Sequence, residues 1–305
     1  AEMSNFTTFI QLIIDGLATG SIYAALALAI VLVNQATGLV NFAQGGMAVL
    51  SAYFGVTIAG FVAPVNPILG IIVGIIGAIV LSFLMGAVVE RFLMRRFMGG
   101  DPDTQVVATI GLLTLITGAA GLIWTYNYIP YPFFFNAGES FRIGDIAISV
   151  WSLTTFLTIL ALMGLLQALF RGTKLGLGLR AVADNSPSAA LSGVKVGSML
   201  MVGWGLAAVL GAIAGILVAA KIQLQPGMFD AFLVYALAAV IIGGLDSPIG
   251  TAIAAWSIAI LENLAGTFVP WIGHDLKIAV PFILLFIVLI FRPQGIFGRK
   301  VVVRV

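Results

Sequence analysis

The sequence predicts an all-α polytopic membrane protein with about eight or nine transmembrane or re-entrant helices. Three observations carry that prediction. Only 9% of the 305 residues are charged, against about 25% in soluble domains. Mean hydropathy is +1.16. No Asp, Glu, Lys, Arg or His occurs between Gly16 and Val89, and at ~20 apolar residues per crossing that run holds roughly three spans. A soluble chain of this length would bury a large core, yet it would still need charged faces to stay dissolved.

Apolar stretches place helices at about 7–33, 41–61, 67–91, 105–127, 147–170, 198–221, 231–244, 249–269 and 276–292, with boundary errors of about two to four residues. The first lacks the basic flank and cleavage pattern of a signal peptide and reads as a retained span, with Asp15 in its outer third. The second opens on "TGLVNFAQGGMAVLSAYFG", Thr37 to Gly55, where Asn41, Gln44, Gly45 and Gly46 interrupt an otherwise apolar run. A helix that starts or breaks there is one reading, with amides on one face at i, i+3 and glycines that let the backbone approach a passing solute. An interhelical amide contact with tight packing is the other. The third segment ends at Glu90 and Arg91, an interfacial ion pair by proximity. Glycines at helical spacing (70, 74, 77; 111, 118, 121; 203, 211, 215) predict close helix packing.

Farther along, residues 127–145 are rich in Tyr, Pro and Phe, as suits a membrane interface. "RGTKLGLGLRAVADNSPSAALSGVKVG", residues 171–197, predicts a short helix that begins near Asn185–Ser186, carries Pro187 in its first turn and ends at Gly193. It reads either as an ordinary loop helix or as a knob that docks into another protein. The segment at 231–244 is short for a full span, and Asp230 and Asp246 read as caps at its two ends. In the eighth segment, Glu262 beside Asn263 is an intramembrane polar pair, functional or a structural hydrogen-bond node. No flexible linker divides the chain, which reads as a single transmembrane domain over 1–305.

Basic residues orient it. The groups Arg91, Arg95, Arg96; Arg171, Lys174, Arg180, Lys195; and Arg292, Arg299, Lys300, Arg304 hold 11 of the 14 Lys and Arg, so all three regions are expected on the cytoplasmic side. Parity then puts the amino terminus outside if all nine segments cross; the crossing count stays at eight or nine.

Enzymatic chemistry finds no support. Cysteine is absent, which excludes disulfides and thiolate sites. The single histidine, His274, cannot make a metal site alone, and "FRGTKLG" and "IFGRKV" fail the spacing of a phosphate-binding loop. No metal, bound cofactor or nucleic-acid partner is expected.

Four collinear blocks carry a resemblance. "GLATGSIYAALALAIVLVNQATGLVNFAQGGMAVLSAYFG" resembles the first block of the permeases of branched-chain amino acid ABC importers, through Gly16, Gly20, Ser21, Tyr23, Ala24, Gly38, Asn41, Phe42, Ala43 and Gly45. "GLRAVADNSPSAALSGVKV" resembles that family's cytoplasmic coupling loop, "LAAVIIGGLDSPIGTAIAAWSIAILENL" its glycine-rich block ending in Glu, and "FRPQGIFGRK" its tail. The resemblance implies an ABC importer permease fold and a heterodimer with a second, related permease. It also implies two cytoplasmic ATPase subunits holding ATP and Mg, and an extracytoplasmic substrate-binding protein. Ser21, Tyr23, Asn41, Gln44, Gly45 and Gly46 would lie along the substrate path. Arg180, Ala183, Asp184, Asn185, Ala189, Leu191 and Gly193 would couple the chain to the ATPases, and Asp15, Glu262 and Asn263 would be intramembrane polar residues of structural weight.

Three departures fall in the implied path: the family's His is Gln44, its following acidic residue is Gly46, and its G-G-L-G-S is Gly243 to Ser247 with Asp246 in place of a glycine. The first three spans offer no Arg or Lys to a carboxylate, so a net-neutral, partly apolar solute fits best. Urea or short-chain amides are the alternative cargo. A different class, an ion-coupled secondary transporter using Asp15 and Glu262, is the alternative mechanism.

Overall fold

The computed structural model describes residues 5–97, 100–136, 138–273 and 276–298. His274 and the basic residues Arg299, Lys300 and Arg304 lie outside the described residues. Within them the chain is helical apart from one hairpin and an isolated antiparallel bridge between Ile129 and Leu224. The helices are α1 (Asn5–Thr37), α2 (Gln44–Val62), α3 (Pro67–Phe92), α4 (Pro102–Trp124), α5 (Val150–Gly172), α6 (Lys174–Asp184), α7 (Ser186–Leu191), α8 (Val196–Ile222), α9 (Asp230–Gly243), α10 (Pro248–Phe268) and α11 (Ala279–Phe291). Seven of them (α1 to α5, α8 and α10) are long and apolar enough to cross a membrane, while α9 and α11 are shorter apolar helices.

Local chemistry sets the helix starts. Asn66 Oδ1 accepts from the amides of Ile68 and Leu69 ahead of α3, Asp101 Oδ1 from Asp103 ahead of α4, and Thr173 Oγ1 from Gly176 ahead of α6. Asn185 caps α7 through the Ser188 amide at 2.9 Å, with Pro187 in its first turn, and Gly193 ends that stretch at φ +84°. The sequence places Asp246 as a cap at the far end of the 231–244 segment, but the capping residue at this turn serves the start of α10. That residue is Ser247, whose Oγ accepts from the Gly250 amide at 3.1 Å. Asp230 likewise is no cap; it is the first residue of α9. Strands β1 (Ser140–Ile143) and β2 (Ile146–Ser149) pair antiparallel with Ser140 opposite Ser149.

The chain divides into two compact units. The first holds residues 1–31, 135–160 and 234–305. In it α1 packs on α10 so closely that a Cβ on Gly16 would lie 2.8 Å from Ile260 Cα, and one on Gly20 2.8 Å from Trp256 Cα. Polar links reinforce the pair: Trp256 Nε1 donates to Ser21 Oγ at 2.9 Å, and Asn263 Nδ2 to the Leu12 carbonyl at 3.3 Å. The tail folds back onto the end of α9, with the Ile296 amide donating to the Ile242 carbonyl at 2.8 Å and the Phe297 amide to the Gly243 carbonyl at 3.2 Å. Gly244 stands there at φ +102°, and a side chain on it would meet Gly298.

The second unit holds residues 32–134 and 161–233. Its core is α2, α3 and α8, joined by close backbone approaches at Gly74 on Gly55 and Ala59, and at Gly86 on Trp204. Gly111 and Gly118 behave differently from expectation, since a Cβ on either meets nothing within 4 Å. The ion pair of Glu90 is made with Arg95 rather than Arg91. The chain leaves the α-helix at Leu93 and turns back, so Arg95 Nη2 reaches Glu90 Oε2 at 2.6 Å and the Gly197 carbonyl at 2.8 Å. That contact ties the end of α3 to the start of α8.

Candidate functional site

In the second unit the NFAQGG stretch is a helix start. Gly38 ends the preceding helix at φ +70°, residues 39–43 are irregular, and α2 begins at Gln44 rather than at Asn41. The shift has a local cause: Asn41 Oδ1 accepts from the Ala43 amide at 3.0 Å, which holds that turn outside the helix. Gln44 Nε2 donates to the Ala207 carbonyl at 3.0 Å, so the start of α2 lies against the middle of α8. Asn41 Nδ2 donates to Gln44 Oε1 at 3.2 Å, with Met47 Sδ at 3.5 Å. Both amide residues are buried, and their hydrogen bonds stay within the protein. The geometry is that of an interhelical amide contact.

Neighbouring glycines make room for it. A Cβ on Gly211 would fall 2.6 Å from Gln44 Nε2, one on Gly46 2.8 Å from Leu113 Cδ1, and one on Gly45 3.4 Å from Phe229 Cβ. The double glycine therefore seats α4 on one side of the α2 start and the approach to α9 on the other. Between those two elements lies an open groove of about 390 Å³, lined by Leu113, Thr114, Thr117, Gly118, Tyr126 and Asp230.

In the first unit, Ser21 Oγ donates to the Leu17 carbonyl at 2.6 Å, besides accepting from Trp256, so it serves the α1–α10 contact. Tyr23 enters a constellation that the sequence did not reveal. Its ring stacks on Tyr235 at 4.7 Å and 4°, and both hydroxyls donate to the buried Glu262 carboxylate, Tyr23 to Oε2 at 3.5 Å and Tyr235 to Oε1 at 3.2 Å. Lys277 Nζ lies 3.9 Å from Oε1. Positions separated by 239 and 27 residues carry no shared periodicity, so only the fold brings them together. Asp15 is exposed and accepts from Gln11 Nε2 at 3.2 Å, and Gln11 also bonds the backbone of Ala147.

The loop after α5 holds two helices where the sequence showed one. α6 packs through Val182, and α7 through Ala189, against Ala36 and Leu200. Ala189 is buried by this, whereas Arg180, Ala183, Asp184, Asn185, Leu191 and Gly193 are exposed, Leu191 to 91%. Tyr131, in the loop after α4, is half-buried, and desolvation pushes its phenol above the ordinary pKa. Among the described residues no group of three or more His, Cys, Asp or Glu is placed to hold a metal.

Comparison with known proteins gives the family. The model described as "Branched-chain amino acid transport system / permease component" matches residues 12–289. The chain is 26% identical to the high-affinity branched-chain amino acid transport system permease protein BraD of Pseudomonas aeruginosa, over 97% of this chain and 98% of that one. It is 26% identical to the corresponding LivH protein of Escherichia coli, over 98% and 99%. A probable LivH of Methanocaldococcus jannaschii is 26% identical over 83% and 80%. Among solved structures, PsaBC from Streptococcus pneumoniae in complex with Fab is 16% identical over 93% and 92%, at a TM-score of 0.44. A match across nearly the whole chain, on a multi-pass helical membrane protein, places this chain in the family of permease components of branched-chain amino acid transport systems.

Proposed function

We propose that the chain is the transmembrane permease subunit of an ATP-binding-cassette importer and forms the translocation path for branched-chain or other hydrophobic amino acids. The observation that carries the reading is the family match across residues 12–289. ATP and Mg are held by two partner ATPases on the cytoplasmic side, a second permease completes the membrane part as a heterodimer, and an external binding protein delivers the solute. The chain works as one inner-membrane permease domain, with the 171–197 loop and the carboxyl terminus cytoplasmic, a placement that the basic residues there support.

The α6–α7 pair supports the partner assignment. Its inner face is anchored near the α8 start by Ala189, and its outer face offers Leu191 to a docking protein. A push on α7 therefore reaches α8 and the end of α1 through packed side chains. Residues 41–46 sit where α2 begins beside α8, so a shift of α8 reaches the path through the Gln44–Ala207 contact.

Neither urea or amide cargo nor ion coupling is favoured by the named relatives. Reconstitution separates these readings. Proteoliposomes holding the chain with its co-purified partners should accumulate leucine when ATP and binding protein are supplied. Accumulation by the chain alone under a proton or sodium gradient would refute the proposal.

A further inference from the structure

We propose that the groove between α4 and the start of α9 is a solute-contacting subsite, in which the Asp230 carboxylate receives the ammonium group of an amino acid. This rests on the amino acid permease reading above. Its position comes first. Leu113, Thr114, Thr117 and Gly118 occupy the central turns of α4, and Leu113 packs on Gly46, beside the α2 start that faces the middle of α8. The groove therefore runs along α4 from its central turns toward Tyr126, just past the end of that helix.

Its chemistry comes second. Among the described residues the Asp230 side chain has neither a hydrogen bond nor an ion pair, although it sits at the start of an apolar helix and is exposed into the groove. A lone carboxylate beside a membrane-spanning helix cannot face hydrocarbon cheaply, so water, a solute or another protein must cover it. Thr114 and Thr117 line the same groove, the Thr114 hydroxyl donating to the Ile110 carbonyl at 3.1 Å, and Leu113 adds an apolar surface for a side chain. Gly118 leaves the wall open, since a Cβ there meets nothing within 4 Å. A carboxylate in a groove that it shares with two threonines and an apolar residue matches a small zwitterion with a hydrophobic side chain and does not match an anion. The groove also adjoins the double glycine, which explains Gly45 and Gly46 as the packing that brings its two walls together.

The test uses the assembled importer in proteoliposomes with radiolabelled leucine. Asp230→Asn should lower uptake about tenfold or more, because a charged hydrogen bond to the solute is lost. Asp230→Glu should retain most uptake, and Gly118→Leu, whose Cβ meets nothing within 4 Å and whose side chain would occupy the groove, should reduce it. The amount of assembled complex recovered should stay at the wild-type level in all three. Uptake within about twofold of wild type in Asp230→Asn would overturn the proposal. So would loss of complex assembly in that variant, which would assign Asp230 to pairing with a basic residue of the companion permease. If wild type itself accumulated no leucine, the permease reading would fail and take the subsite with it.

Discussion

Replacing Gln44 with Ala separates a helix-packing role for this side chain from a role in touching solute. The Gln44 bond to the Ala207 carbonyl, at 3.0 Å, is of the interhelical kind that contributes about 0.6 kcal/mol in membranes. Removing the side chain also takes the acceptor from Asn41 Nδ2, leaving only the weak Met47 Sδ contact, and a buried donor without its partner costs about 1–3 kcal/mol. Adding the void left by a fully buried side chain, Gln44→Ala should destabilise the protein by about 2–4 kcal/mol. Gln44→His, the residue found in the related motif, keeps a donor toward α8 and should lose about 1 kcal/mol or less. Equilibrium unfolding in mixed detergent micelles measures both. Stability of Gln44→Ala within about 0.5 kcal/mol of wild type, together with abolished uptake, would refute the packing account and assign the amide to the solute path.

Three further outcomes are expected. Gly20→Val should cost about 1–3 kcal/mol by the same assay, because its Cβ would press to 2.8 Å on Trp256 Cα and 3.0 Å on the Ala255 carbonyl; Gly111→Val, in open space, should be neutral. Glu262→Ala removes the acceptor shared by Tyr23 and Tyr235 and should destabilise by about 1–3 kcal/mol, whereas Lys277→Met, from a half-exposed pair at 3.9 Å, should lose less than about 1 kcal/mol. Leu191→Glu should leave stability within about 0.5 kcal/mol while weakening co-purification of the ATPases and ATP-driven uptake; unchanged uptake would sink the docking role of α7.

The helices were legible because hydrophobic runs bounded by charge, Pro and Gly need only local information. The Asn185 cap and the Gly193 stop were readable for the same reason. Harder to read was anything that depends on a partner far along the chain. The Glu262 constellation needs α1, α9 and α10 in place, and the groove at Asp230 needs α4 beside the start of α9. Asp230 and Asp246 looked like caps because Asp near a helix end usually is one, but Ser247 stood one residue closer to α10. Glu90 was paired with its neighbour Arg91, whereas the tight turn after Leu93 swings Arg95 back instead. Spacing alone grouped Gly111 and Gly118 with the packing glycines, yet the face they occupy is open in this chain. Glycine-rich α6 looked like loop because Gly176 and Gly178 lower helix propensity, and Thr173 supplies the cap that compensates.

The central claim, that this chain is one part of an ATP-driven importer, is tested most directly by native mass spectrometry of the complex extracted from the membrane. A complex of this chain with a second permease and two ATPase subunits is predicted. A chain recovered without any ATPase, alone or only with copies of itself, would contradict the account.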